Sequence, residues 1–86
     1  MRDLQKGDKY IFDTYGMNVV FHVLDVVGLD GGSIVKYETH SLASGNHVVT
    51  DCSYNVFCND IKDGNMKLIS DERYNKYVNK FKIGQL

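Results

Sequence analysis

Three histidines and two cysteines are the side chains of this 86-residue chain best suited to bind a metal or attack an electrophile. His40, His47, Cys52 and Cys58 carry imidazole and thiolate, the ligands zinc prefers. Their spacing does not suit it. Six, four and five residues intervene between them, whereas structural zinc sites pair ligands about two to four residues apart on a knuckle. No metal is expected, and Cys58 reads as a small buried hydrophobe. A nucleophilic thiol at Cys52, with His47 five residues away, would need a lowered pKa, and the one device in reach is the N-terminus of a short helix. No catalytic residue is expected. Gly31-Gly32 lacks the downstream Gly-Lys-Ser/Thr of a phosphate loop and precedes strand-like sequence, so it reads as a hairpin turn and implies no nucleotide cofactor.

His22 is a separate case. It alternates with Val20, Leu24 and Val26 and so shares an apolar face with them. Two readings fit: a partly buried, hydrogen-bonded histidine, or one that lines a ligand groove or subunit interface, where its charge would change near neutral pH. Asp25 lies three positions on, which in a regular strand is the opposite face, so no direct His22–Asp25 pair is expected.

The basic, aromatic C-terminal segment carries the most functional information. Residues 66–86 hold five basic side chains against two acidic (+3), whereas residues 1–65 hold five against nine (−4), giving the net charge of −1. Tyr74, Tyr77, Val78 and Phe81 recur at i, i+3, i+4, i+7, one stripe of a helix, with Arg73, Asn75, Lys76, Asn79 and Lys80 outside it. The stripe needs a surface to cover. That surface is the protein's own body, a twin stripe in a homodimer, or a partner groove or nucleic-acid backbone met by Arg73, Lys76, Lys80 and Lys82. Aromatic and arginine anchors dominate interface energies, so Arg73, Tyr74, Lys76, Tyr77, Lys80 and Phe81 are the candidate partner-binding residues.

The elements that must position these residues follow from pattern. Lys9 to Asp13 reads as a first strand, Val19 to Val27 as a second with apolar residues on both faces, Ser33 to Ser41 as a third, His47 to Asp51 as a fourth and Met66 to Ile69 as a fifth. Thr14–Asn18, Asp30-Gly31 and Ala43–Asn46 are the turns, the second being a hairpin signal. Tyr54, Phe57, Cys58 and Ile61 recur at helical spacing between the fourth and fifth strands, with Ser53 as N-cap, Gly64 past the end and Cys52 stapled to Phe57. Ser70 caps a second helix, with Asp71 and Glu72 in its first turn and Lys80 and Lys82 near its last.

A strand buried on both faces belongs in the middle of a sheet or bends through a small barrel. Five short antiparallel strands with a helical turn before the last resemble the SH3-like small barrels in topology, from about Lys6 to Ile69. An OB-fold would place its helix between strands three and four, where this chain has only Ala43–Asn46. The expected fold is therefore mainly β: a five-stranded SH3-like barrel or strongly bent antiparallel sheet, with a short helix before the last strand and an amphipathic C-terminal helix. One domain spans 1–86, a barrel-like body at 4–69 and the helix at 70–83.

Hydrophobic residues at 43% and charged residues at 24% exclude disorder. No apolar run spans a membrane and no signal-peptide pattern opens the chain, so the expected compartment is the cytoplasm, where two cysteines stay free thiols. The function expected is a non-catalytic protein-interaction module, homodimeric, of the kind supplied by small bacterial or phage accessory and inhibitor proteins. The alternatives are a nucleic-acid-binding small barrel that uses the basic C-terminal segment, and a small-ligand or metal binder. The acidic body would repel a phosphate chain, which places nucleic acid second.

Overall fold

The computed structural model describes residues 4–16, 18–29 and 32–84. Its strands are β1 (Lys9–Phe12), β2 (Val19–Leu29), β3 (Gly32–Ser41), β4 (Asn46–Ser53) and β5 (Met66–Leu68), and its helices are α1 (Tyr54–Lys62) and α2 (Asp71–Gly84). These are the expected elements in the expected order. The Asp30-Gly31 turn lies outside the described residues, but β2 and β3 on either side of it pair antiparallel from Leu29↔Gly32 onward.

All five strands form one antiparallel sheet in the order β4-β3-β2-β1-β5. The sheet is open, with β4 and β5 at opposite edges, so the closure of an SH3-like barrel is not formed. The doubly apolar β2 has a different cause, a helix on each face. Alternation along β1 sends Tyr10 to one side, with Leu4, Val23, Val35, Met66 and Phe57 of α1, and sends Ile11 to the other, with Val20, Ile69 and Tyr74 of α2. A sheet covered on both faces has no need to curl on itself to bury apolar residues.

One irregularity sets the register. Between Val23 and Asp25 the β2–β3 pairing slips by a residue, so that Leu24 and Asp25 together oppose Lys36. Such a β-bulge reverses the facing of everything beyond it. Val26 therefore joins Val35 on the α1 face, and Asp25 falls on the same face as His22, contrary to the regular-strand expectation.

The helix ends obey local rules in part. Ser53 stands at the N-cap of α1 without a capping hydrogen bond from its side chain, so α1 is held by the burial of Phe57 rather than by its cap. Its C-terminus is closed by Gly64 at φ +82, with Gly64 and Asn65 donating to the carbonyls of Ile61 and Asp60 at 3.1 and 3.0 Å. At the start of α2, Ser70 Oγ accepts from the Arg73 N–H at 3.1 Å, as expected. In the β1–β2 turn Tyr15 and Gly16 both take positive φ, 59° and 73°. Among the described residues no helix is long and apolar enough to cross a membrane.

Candidate functional site

Helix α2 lies across one face of the sheet, and two arrangements flank it. The first collects all three histidines around one carboxylate. His22 on β2 is directly opposite Glu38 on β3, and His40 on β3 is directly opposite His47 on β4. His22 donates from Nδ1 to Glu38 Oε1 at 2.9 Å, and His47 donates from Nε2 to Oε2 at 3.1 Å, so each carboxylate oxygen holds one ring. The His40 and His47 rings stack at 4.2 Å and 7°. Helix α2 closes the cluster from above. Its Tyr74 hydroxyl reaches Glu38 Oε1 and His40 Nδ1 in long contacts of 3.5 Å, and Phe81 sets an edge against His40 at 5.0 Å. Lys9 of β1 lies over the Tyr74 ring at 5.6 Å and pairs with Asp71 at 2.9 Å.

His22 is thus a half-buried, hydrogen-bonded residue within a network. The bulge made this possible: the register at Leu29↔Gly32, continued regularly, would set His22 across from Thr39. By pattern alone Glu38 is an outward polar residue, and His40 and His47 suggest only zinc ligation. The four-residue turn that pairs His40 with His47 is legible in the sequence, whereas the bulge is not.

The cluster is charge-coupled. Burial lowers the His40 pKa below its usual 6.5, and neighbouring His47 and Lys82 lower it further against the pull of Glu38. Burial alone would raise Glu38, but the hydrogen bonds from His22 and His47 overcome it and hold the carboxyl below 4.5. Burial and the Glu38 charge push the Tyr74 hydroxyl well above 10. Both His40 and Glu38 have folded values below their unfolded ones, so the unfolded chain binds more protons in acid. Stability from His40 is complete above 6.5 and is lost as pH falls through its folded value, and that from Glu38 is complete above 4.5 and is lost below it. Urea denaturation should give a constant midpoint between about pH 7 and 8, below the range where the raised Cys52 and Tyr74 groups begin to matter, and two successive declines on acidification. The His40→Asn variant should lack the upper one.

The second arrangement is a cleft of about 320 Å³ on the same face. Ile11, Val20, Ile69 and Leu42 form an apolar floor, Asn18 and Tyr77 line it, and Arg73, Lys76 and Lys80 stand on its rim. The three cations lie at i, i+3 and i+7, one stripe of α2. Their carboxylate neighbour is Glu72, 3.6 Å from Lys76 in an exposed pair of little energetic weight. Tyr77 fixes the end of the cleft, donating its hydroxyl to the Asn18 carbonyl and accepting from the Leu42 N–H at 3.1 Å. Of the six candidate partner-binding residues, Arg73, Lys76, Tyr77 and Lys80 line this cleft. Tyr74 and Phe81, 5% and 7% exposed, face their own sheet.

The thiol readings separate in space. Cys52 and Cys58 pack with the α1-side core, whereas His40 and His47 belong to the α2 side. Cys52 and His47 alternate to opposite faces of β4, so they form no nucleophile and base pair. Burial and nearby Asp51 and Asp60 push the Cys52 thiol above 9.0, the wrong direction for a thiolate. Among the described residues no three His, Cys, Asp or Glu side chains are arranged to hold a metal ion. No family model, curated protein or solved structure matches the chain.

Proposed function

We propose that this protein is a non-catalytic interaction module, a small cytoplasmic accessory or inhibitor protein that binds a larger protein through the cleft beside α2. The observation that carries the reading is the row Arg73, Lys76, Lys80 beside the exposed Leu42, with the buried Ile11, Val20 and Ile69 beneath. An acidic segment with an apolar anchor complements both halves of that surface. The cations steer the approach and the anchor supplies affinity on desolvation. A nucleic-acid strand would use the same cations but needs aromatic platforms for its bases. Tyr74 and Phe81 are buried and Tyr77 is tied to Asn18 and Leu42, which favours the protein reading.

The test is fluorescence anisotropy against a panel of labelled acidic peptides with and without a central Leu or Phe, with single-stranded DNA as comparator. Binding should require the apolar residue, and Arg73→Glu with Lys80→Glu should weaken it by about tenfold or more, equivalent to at least ~1.4 kcal/mol. Binding of DNA alone, falling steeply with salt, would replace the protein reading by the nucleic-acid one.

A further inference from the structure

The two edges of the sheet are treated differently. β5 is three residues long and carries Lys67, which is how proteins commonly discourage pairing at an edge. β4 has eight residues, and its pairing with β3 runs from Ile34↔Ser53 to Ser41↔Asn46 without a bulge. It carries no Lys or Arg, and the chain has no proline. Val48 and Val49 are 46% and 63% exposed on it. A long, regular edge with two exposed valines and no Lys, Arg, proline or bulge is a template for another strand.

We infer that the occupant of this edge is a second copy of the chain, paired β4 to β4 in antiparallel fashion about a two-fold axis at Val49. The register follows from the strand's own sequence. His47, Val49 and Asp51 face the α2 side, opposite His40, Glu38 and Lys36, whereas Val48, Thr50 and Cys52 face the α1 side. Centring the axis on Val49 brings the two Val49 side chains together and sets His47 against Asp51 of the second copy, twice. On the other face Val48 meets Thr50 of the second copy. With its Nε2–H on Glu38, His47 has an Nδ1–H left to donate to the carboxylate when its ring is the imidazolium. Moving the axis to Val48 sets Asp51 against Gly45, and moving it to Thr50 sets Asp51 against Val49, so either shift loses the His–Asp pairing. The axis at Val49 is thus the register in which charge is complementary on one face and no like charges meet. The result is a continuous sheet of twice five strands, and no residue lining the cleft beside α2 lies on β4.

Analytical ultracentrifugation over a concentration series tests this. The wild type should move from 9.8 kDa to twice that mass. Val49→Lys and Val49→Glu, at an exposed position, should each keep the wild-type circular dichroism spectrum and sediment as monomers, and an equimolar mixture of the two should dimerise again. Val49→Cys, with Cys52→Ser and Cys58→Ser, should oxidise to a covalent dimer, because opposed Cα atoms about 4.5–5.5 Å apart suit a disulfide. A wild type that stays monomeric at every concentration overturns the inference. So does a Val49→Lys protein that dimerises as the wild type does, because that dimer would use another surface.

Discussion

Phe57→Ala should leave a large part of the protein unfolded in the absence of denaturant. Phe57 is the buried side chain of α1, 3% exposed. Its ring meets Tyr10, Phe21 and Tyr37 at centroid distances of 5.7, 5.9 and 5.6 Å, the first two edge to face. Removing a buried Phe costs about 3–5 kcal/mol, and each aromatic pair adds about 0.5–1.5 kcal/mol beyond area burial. A domain of this length has on the order of 4–13 kcal/mol of total stability, from roughly 0.05–0.15 kcal/mol per residue. The loss falls at the upper end of its range because the site cannot collapse. Tyr10, Phe21 and Tyr37 are held by strand register, so the sheet cannot close over the space that alanine leaves. Without Phe57, α1 keeps neither a buried anchor nor a side-chain cap. Urea denaturation followed by circular dichroism checks this. Val56→Ala, at an exposed position on the same helix, should stay within about 0.5 kcal/mol of wild type.

The same residues show how far the sequence can be read. The helical spacing of Tyr54, Phe57, Cys58 and Ile61 and the β-branched run of β2 are local signals, and both elements form where those signals lie. Whether a doubly apolar strand sits inside a barrel or between two helices is not a local property. It depends on where α2 docks, and the stripe of Tyr74, Tyr77, Val78 and Phe81 fits either a neighbouring molecule or its own sheet equally well by pattern. The histidine cluster is less legible still. His22 reaches Glu38 because one extra residue near Leu24 shifts the β2–β3 register, and no glycine or proline marks that point. His40 and His47 are visible as chemistry-bearing residues, but residue type groups them with Cys52 and Cys58, from which the sheet separates them. The cation row needs no register, only helical spacing, and four of the six residues that spacing suggests line the cleft.

Docking of α2 is the step on which the α2 side of the molecule depends, and Tyr77→Ser combined with Phe81→Ser should abolish it. Phe81 contributes a truncation cost of about 3–5 kcal/mol, and Tyr77 contributes two hydrogen bonds of about 0.5–1.5 kcal/mol each. A helix of 14 residues is marginal in water once it loses its packing surface, so the undocked segment should melt rather than swing free. Far-ultraviolet circular dichroism should lose helical signal, and the exposure of Ile11, Val20 and Ile69 should produce binding of a hydrophobic dye. The acid response then identifies the cause. With α2 gone, His40 is no longer covered by Tyr74 and Phe81, its folded and unfolded pKa values converge, and whatever denaturation transition remains should lack the decline below pH 6.5. A double variant that kept its helicity and changed only its mass in solution would instead assign the stripe to contact between molecules. The burial of Tyr74 and Phe81 against the sheet makes loss of structure the expected result.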